Sequence, residues 1–263
     1  MDAIIHLIYG FGGATVWIGL VVGTLIGLTG MGGGSLLTPA LIVLLGLDPL
    51  TAVGTGLAIA AVTKLVGSAA HGRLGNVDGR TTLTLLSGSL PGAIAGLGLL
   101  WAVRYTGVVT AGSLVKTAIG LTLVLAALSL WTRPLWERGG THAVRSPALV
   151  RSSTVWVAFV VGALVSLTSV GTGTLLVPFL IFFCRLPAAR VVGTDIVHGL
   201  VLTALVATLY GLGGHVEWAL AAAVLVGAVP GVVLGSHLSL QVSGPTMERI
   251  LGSVLLVCGL KFF

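Results

Sequence analysis

Hydrophobic residues run along this chain in long blocks, separated by short polar turns rather than by alternating polar positions. No Asp, Glu, Lys or Arg lies between Asp2 and Asp48, between Arg151 and Arg185, or between Glu217 and Glu248. Each gap exceeds the roughly 20 apolar residues that carry a helix across a bilayer core of about 30 Å. The blocks predict helices near 12–29, 35–46, 51–71, 81–102, 113–131, 152–168, 174–185, 190–211, 218–238 and 247–262. Two of these, 35–46 and 174–185, would reach only about 18 Å at about 1.5 Å per residue. Each follows a glycine-rich stretch, so both read as half-helices that begin inside the membrane, beside eight full spans. The expected fold class is all-α, a polytopic integral membrane protein.

The pattern repeats. An offset of 139 residues sets Leu28–Gly96 on Leu167–Gly235 without a gap. LTGMGGGSLLTP (Leu28–Pro39) then meets LTSVGTGTLLVP (Leu167–Pro178), and Val53-Gly54-Thr55 meets Val192-Gly193-Thr194. Gly72, Gly75 and Val77 meet Gly211, Gly214 and Val216, and Pro91-Gly92 meets Pro230-Gly231. Roughly a third of the paired positions are identical, the mark of a duplication. The chain divides into a first repeat (1–131), a basic linker (132–151) and a second repeat (152–263).

Charge gives the halves their orientation. Arg133, Arg138, Arg145 and Arg151 place the linker in the cytoplasm. Equivalent loops carry opposite bias: Asp48 without a base against Arg185 and Arg190, and Arg73 with Arg80 against Glu217 with His215. The halves are therefore expected to be inverted-topology repeats, with both termini periplasmic in an inner membrane. Arg104 and Lys116 fit that arrangement least well and would snorkel to an interface. Trp101, Trp131, Trp156 and Trp218 fall at predicted helix ends, where interfacial aromatics belong.

Composition adds the class of solvent. The chain is 56% hydrophobic and 8% charged, with mean hydropathy +1.13, against about 25% charged residues in a soluble domain. The net charge of +6 sits in short loops, and no basic run with interleaved aromatics suggests nucleic acid. Cys184 and Cys258 lie far apart in apolar segments and read as buried hydrophobes. No CxxC or HExxH spacing signals a metal, and no cofactor motif is present. The N-terminus lacks a basic n-region and reads as retained.

Candidate chemistry centres on the two glycine-rich breaks. Unwound backbone in a bilayer is tolerated only where it lines protein or a water-filled cavity. In the first break the candidate residues are Thr29, Gly32, Gly33, Gly34 and Ser35; in the second they are Thr168, Gly171, Thr172, Gly173 and Thr174. The free N–H groups of the following helices carry partial positive charge, and two such starts brought together form an anion site. The competing role of glycine is close helix packing, to which Gly19/Gly23/Gly27 and Gly88/Gly92/Gly96 are assigned by their four-residue spacing. The breaks differ in carrying hydroxyls and preceding short helices.

Three ionisable residues fall inside predicted spans. Lys64 lies about 12 Å from the cytoplasmic end of its helix, at about eight residues of 1.5 Å each, and is a candidate cation for the anion. Asp195 and His198 share a helix face and are candidate proton carriers. Against this, Asp195 is equally suited to cap its helix or to pair with Arg190. Thr55 and Thr194 are expected to present hydroxyls to the same cavity. His71, His215 and His237 at helix ends read as interfacial.

The stretch GLTGMGGGSLLTP, the following VGT, the GRLGNVD stretch (Gly72–Asp78) and the repeated PG resemble the sulfite exporter TauE/SafE family. The resemblance runs over about residues 12–260. It implies export of sulfite or a related organosulfur anion such as sulfoacetate. Half two reads Gly193-Thr194-Asp195 where half one reads Gly54-Thr55-Gly56, so any acid acts singly. The expected function is secondary transport of a small anion by alternating access, with an anion channel or an importer as alternatives. The expected partners are that solute and the lipid bilayer, with homo-oligomerisation left open. An intramembrane enzyme is disfavoured because no nucleophile–base pair appears in the apolar segments.

Overall fold

The computed structural model describes residues 13–29, 34–73, 75–107, 110–138, 146–238 and 244–263. The elements of the described chain are all helices: α1 (Gly13–Thr29), α2 (Gly34–Leu45), α3 (Pro49–Arg73), α4 (Gly79–Thr106), α5 (Ala111–Arg138), α6 (Pro147–Thr168), a π turn (Thr172–Leu176) leading into α7 (Val177–Phe182), α8 (Ala188–Leu212), α9 (Trp218–Leu238) and α10 (Gly244–Leu260). Helix is the outcome that satisfies every backbone polar group away from water. The ends are set locally. Asp78 caps α4 by accepting the Thr81 N–H at 2.8 Å, and Ser146 caps α6 by accepting the Leu149 N–H at 3.3 Å.

Among the described residues, six helices are long and apolar enough to cross a membrane: those within α3, α4, α5, α6, α8 and α9. The protein is an all-α integral membrane protein. The expected count of eight full spans is higher, because α1 and α10 show 17 described residues each, about 25 Å of helix. The helices α5 and α6 also reach into the expected linker, to Arg138 and from Pro147. Trp131 and Trp156 thus lie within helices, yet both stay exposed.

The two halves interlock. Helix α9 packs on α1, α4 on α6, α3 on α8, and α10 on α5. Each pairing joins the first half to the second. Gly88, Gly92 and Gly96 bring α4 onto the backbone of Val155, Phe159 and Ala163; their counterparts Gly227, Gly231 and Gly235 bring α9 onto Val16, Leu20 and Thr24. The contacts are reciprocal, residue for residue, at the repeat offset. Removing the β-carbon lets helix backbones approach closely where lipid supplies no hydrophobic drive for association.

Candidate functional site

The second break is observed directly. Helix α6 ends at Thr168, and Ser169 follows at φ 63, donating its N–H to the Val165 carbonyl at 2.8 Å. The Thr168 hydroxyl oxygen accepts the Val170 N–H at 3.1 Å, and Gly171 takes φ 138, which side chains rarely allow. Helix resumes at Thr172. It was expected to resume at Thr174 and run to 185. The Thr168 turn and the positive φ of Gly171 compress the break, and the helix stops at Phe182, before the left-handed Arg185 (φ 52). Thr172, Gly173 and Thr174 are all buried in the π turn.

In the first half, α1 ends at Thr29 and α2 begins at Gly34, with Ser35 buried in its first turn. Gly32 and Gly33 lie outside the described residues, as does the side chain of Thr29.

Lys64 reaches across from the first half to this second break. Its side chain is 5% exposed, and Nζ donates to Thr172 Oγ1 at 3.3 Å. A residue so enclosed is not snorkelling. Asp195 Oδ2 stands 3.9 Å from the same Nζ, so Asp195 pairs with Lys64 rather than with Arg190. A β-carbon at Gly199 would collide with Lys64 Nζ, so the glycine one turn beyond Asp195 makes room for the ammonium. His198 Nε2 lies 2.8 Å from Ser89 Oγ of α4, both groups fully buried.

Helix α2 and the second break come together near Gly56. A β-carbon there would collide with Thr38 Oγ1 of α2 and lie 3.4 Å from Ser169 Oγ of the second break. Thr38 Oγ1, Ser169 Oγ, Thr174 Oγ1, Asp195 Oδ1 and His198 Nδ1 are all buried with no protein partner among the described residues. Unsatisfied polar groups are costly in a core, and the hydroxyls of Thr38 and Ser169, both beside Gly56, are among those a polar solute could satisfy. Thr38, Ser89, Gly56 and Gly199 were not singled out from the sequence. Ser89 is hidden inside the Gly88/Gly92 packing ridge, and Thr38 reads as one more residue of a short apolar helix.

Thr55 and Thr194 do something else. Thr55 Oγ1 accepts the Glu217 N–H, and Thr194 Oγ1 accepts the Asp78 N–H, each at 3.0 Å. Both hydroxyl oxygens thus hold a loop of the opposite half.

A cavity of about 840 Å³ lies at the starts of α4 and α6, lined by Arg80, Arg151 and Arg185 with Thr154, Thr84 and Cys184. Asp48 and Lys116 line a different one, near Phe262 and Phe263. Arg104 Nη1 lies 3.3 Å from His215 Nε2, which gives one of the two ill-fitting cations a polar neighbour.

Residues 15–262 match the family described as sulfite exporter TauE/SafE. The chain belongs to this family. TauE/SafE membership makes it a membrane transporter rather than an enzyme. It is 37% identical over 249 residues to the probable membrane transporter protein YjnA of Bacillus subtilis, covering 94% of this chain and 97% of that protein. It is 27% identical to the probable membrane transporter protein YunE of the same organism, covering 93% and 94% respectively. A probable membrane transporter protein of Xylella fastidiosa is also 27% identical, with 92% and 91% covered. No solved structure matches the chain significantly.

Proposed function

We propose that this transporter exports a small oxyanion, sulfite or an organosulfur anion such as sulfoacetate, by alternating access around the two helix breaks. The observation that carries the reading is the buried Lys64 ammonium held at Thr172, inside the break of the opposite half. An ammonium has three donors, and Thr172 takes one. The remainder, with the hydroxyls of Ser169 and Thr174, suit an oxyanion, and the helix starts after each break add favourable dipole ends. Export from an inside-negative cell is electrically downhill by roughly 2.3 kcal/mol per negative charge per 100 mV.

The reciprocal contacts support inverted repeats. Gly54 and Thr55 meet His215 and Glu217, while Gly193 and Thr194 meet Asn76 and Asp78. Loops seated on the opposite half in this paired manner act as two gates, and alternating access opens one at a time. The arginine-lined cavity beside the second gate suits a cytoplasmic anion entrance. In this reading the protein lies in the inner membrane with its termini periplasmic.

The test is flux from vesicles loaded with sulfite, sulfoacetate, thiosulfate or sulfate. Saturable efflux with counterflow of one of these anions is expected; efflux without counterflow indicates a channel. Lys64→Gln should raise the half-saturating concentration at least about tenfold, on the scale of a lost charge-assisted contact. Unchanged affinity in this variant removes Lys64 from the site.

A further inference from the structure

We propose that Asp195 is the resident counter-ion of the empty carrier, a tethered anion that a transported one displaces from Lys64. The inference rests on the reading of Lys64 as the anion's ligand and says how the unloaded protein returns. Lys64 and Asp195 come from different halves and are both buried, at 5% and 2% exposure. Neither has a charged counterpart in the repeat: the positions equivalent to Lys64 and Asp195 are Thr203 and Gly56. One cation and one anion thus stand on α3 and α8 at positions the repeat leaves uncharged in the other half, and they meet.

Closing both gates over an unpaired ammonium is strongly unfavourable, because the charge loses its water without compensation. Asp195 removes that obstacle when no substrate is present. The pairing is also loose. The contact is 3.9 Å, longer than a hydrogen bond, and Asp195 Oδ1 has no protein partner among the described residues. A carboxylate so held competes weakly, so an oxyanion with several acceptor oxygens can take its place at Nζ and Thr172. The empty carrier then closes as a neutral ion pair, and the loaded one closes with the substrate on Lys64. Asp195 acts through Lys64 and is a positioning residue.

This predicts a split between two kinds of flux. Asp195→Asn keeps the shape and leaves Lys64 without a counter-charge unless substrate is bound. One-for-one exchange of labelled against unlabelled anion across the vesicle membrane should persist, within about threefold of wild type. Net efflux into anion-free buffer, which needs the empty return, should fall at least about tenfold, in line with an uncompensated buried charge. Asp195→Glu retains the charge and should preserve both within about threefold.

Equal net efflux in Asp195→Asn and wild type overturns the proposal, as does loss of exchange and net efflux together in folded protein. Should Asp195→Asn fail to insert, Asp195→Glu decides: net efflux lost with exchange intact would mean that shape, not charge, is required. Absence of any flux in wild-type vesicles defeats the transport reading itself, a result distinct from all of these.

Discussion

The Thr55 hydroxyl oxygen of the first half accepts the backbone N–H of Glu217 of the second at 3.0 Å. At the repeat offset stands the same bond with the halves exchanged, Asp78 N–H to Thr194 at 3.0 Å. Beside each bond a glycine, Gly54 or Gly193, is pressed against a loop carbonyl, that of His215 or Asn76. Each loop therefore seats by one hydrogen bond and one close approach. That is a contact small enough to be broken and remade.

Gly193→Val should prevent one seat from forming. Its β-carbon would overlap the Asn76 carbonyl oxygen, a backbone atom that cannot step aside alone. Overpacking of this kind costs about 1–3 kcal/mol. A lowered melting temperature with impaired flux is expected, and Gly54→Val should act alike through His215. Wild-type melting and flux in both would show that the loops do not seat as described.

Gly173→Leu should abolish flux while leaving membrane insertion intact. Gly173 is buried within the π turn of the second break, and a leucine there would displace the neighbours that meet Lys64. The check is vesicle flux beside membrane yield. Wild-type flux would separate the break from transport.

Arg80→Gln with Arg151→Gln should raise the half-saturating anion concentration at low salt and leave maximal rate unchanged. These arginines line the cavity that suits an entrance, and exposed charges act by attracting the anion over distances that salt shortens. The difference from wild type should vanish near 1 M salt, where the Debye length is about 3 Å. A difference that persists there would point to direct ligation instead.

Asp78→Ala should destabilise the protein by about 1 kcal/mol through the lost helix cap. The Asp78 carboxyl is held below its ordinary value of 3.8, first by the Thr81 backbone N–H, with Arg190 and Arg80 adding to it against burial. A carboxyl whose pKa is lowered on folding stabilises above the unfolded value, and the gain is lost as pH falls through the folded value. The melting difference between wild type and Asp78→Ala should be full at pH 7 and shrink below the ordinary value. A difference independent of pH would assign the effect to shape rather than charge.

The second break could be placed in advance, and its residues show why. Thr168–Thr174 betrays a break because glycines amid charge-free sequence are a local signal, and the observed break falls within it. Lys64 stood out for a similar reason, as a lone cation in an apolar span. Its partner could not be foreseen. Arg190 is closer to Asp195 in sequence, whereas the observed partner comes from the other half of the chain. Thr55 and Thr194 are expected from the sequence to present hydroxyls to the cavity of the breaks, but which loop each one holds depends on how the halves cross.

The sequence by itself determined the solvent, the helical class, the duplication and the position of the breaks, because burial in lipid and backbone satisfaction act on every residue in order along the chain. Only the tertiary structure decided that α3 and α8 meet, that Lys64 faces Thr172 and Asp195, and that each half closes over the other. Those contacts join residues more than a hundred positions apart, and the close approach of helix backbones, not any local pattern, selects them.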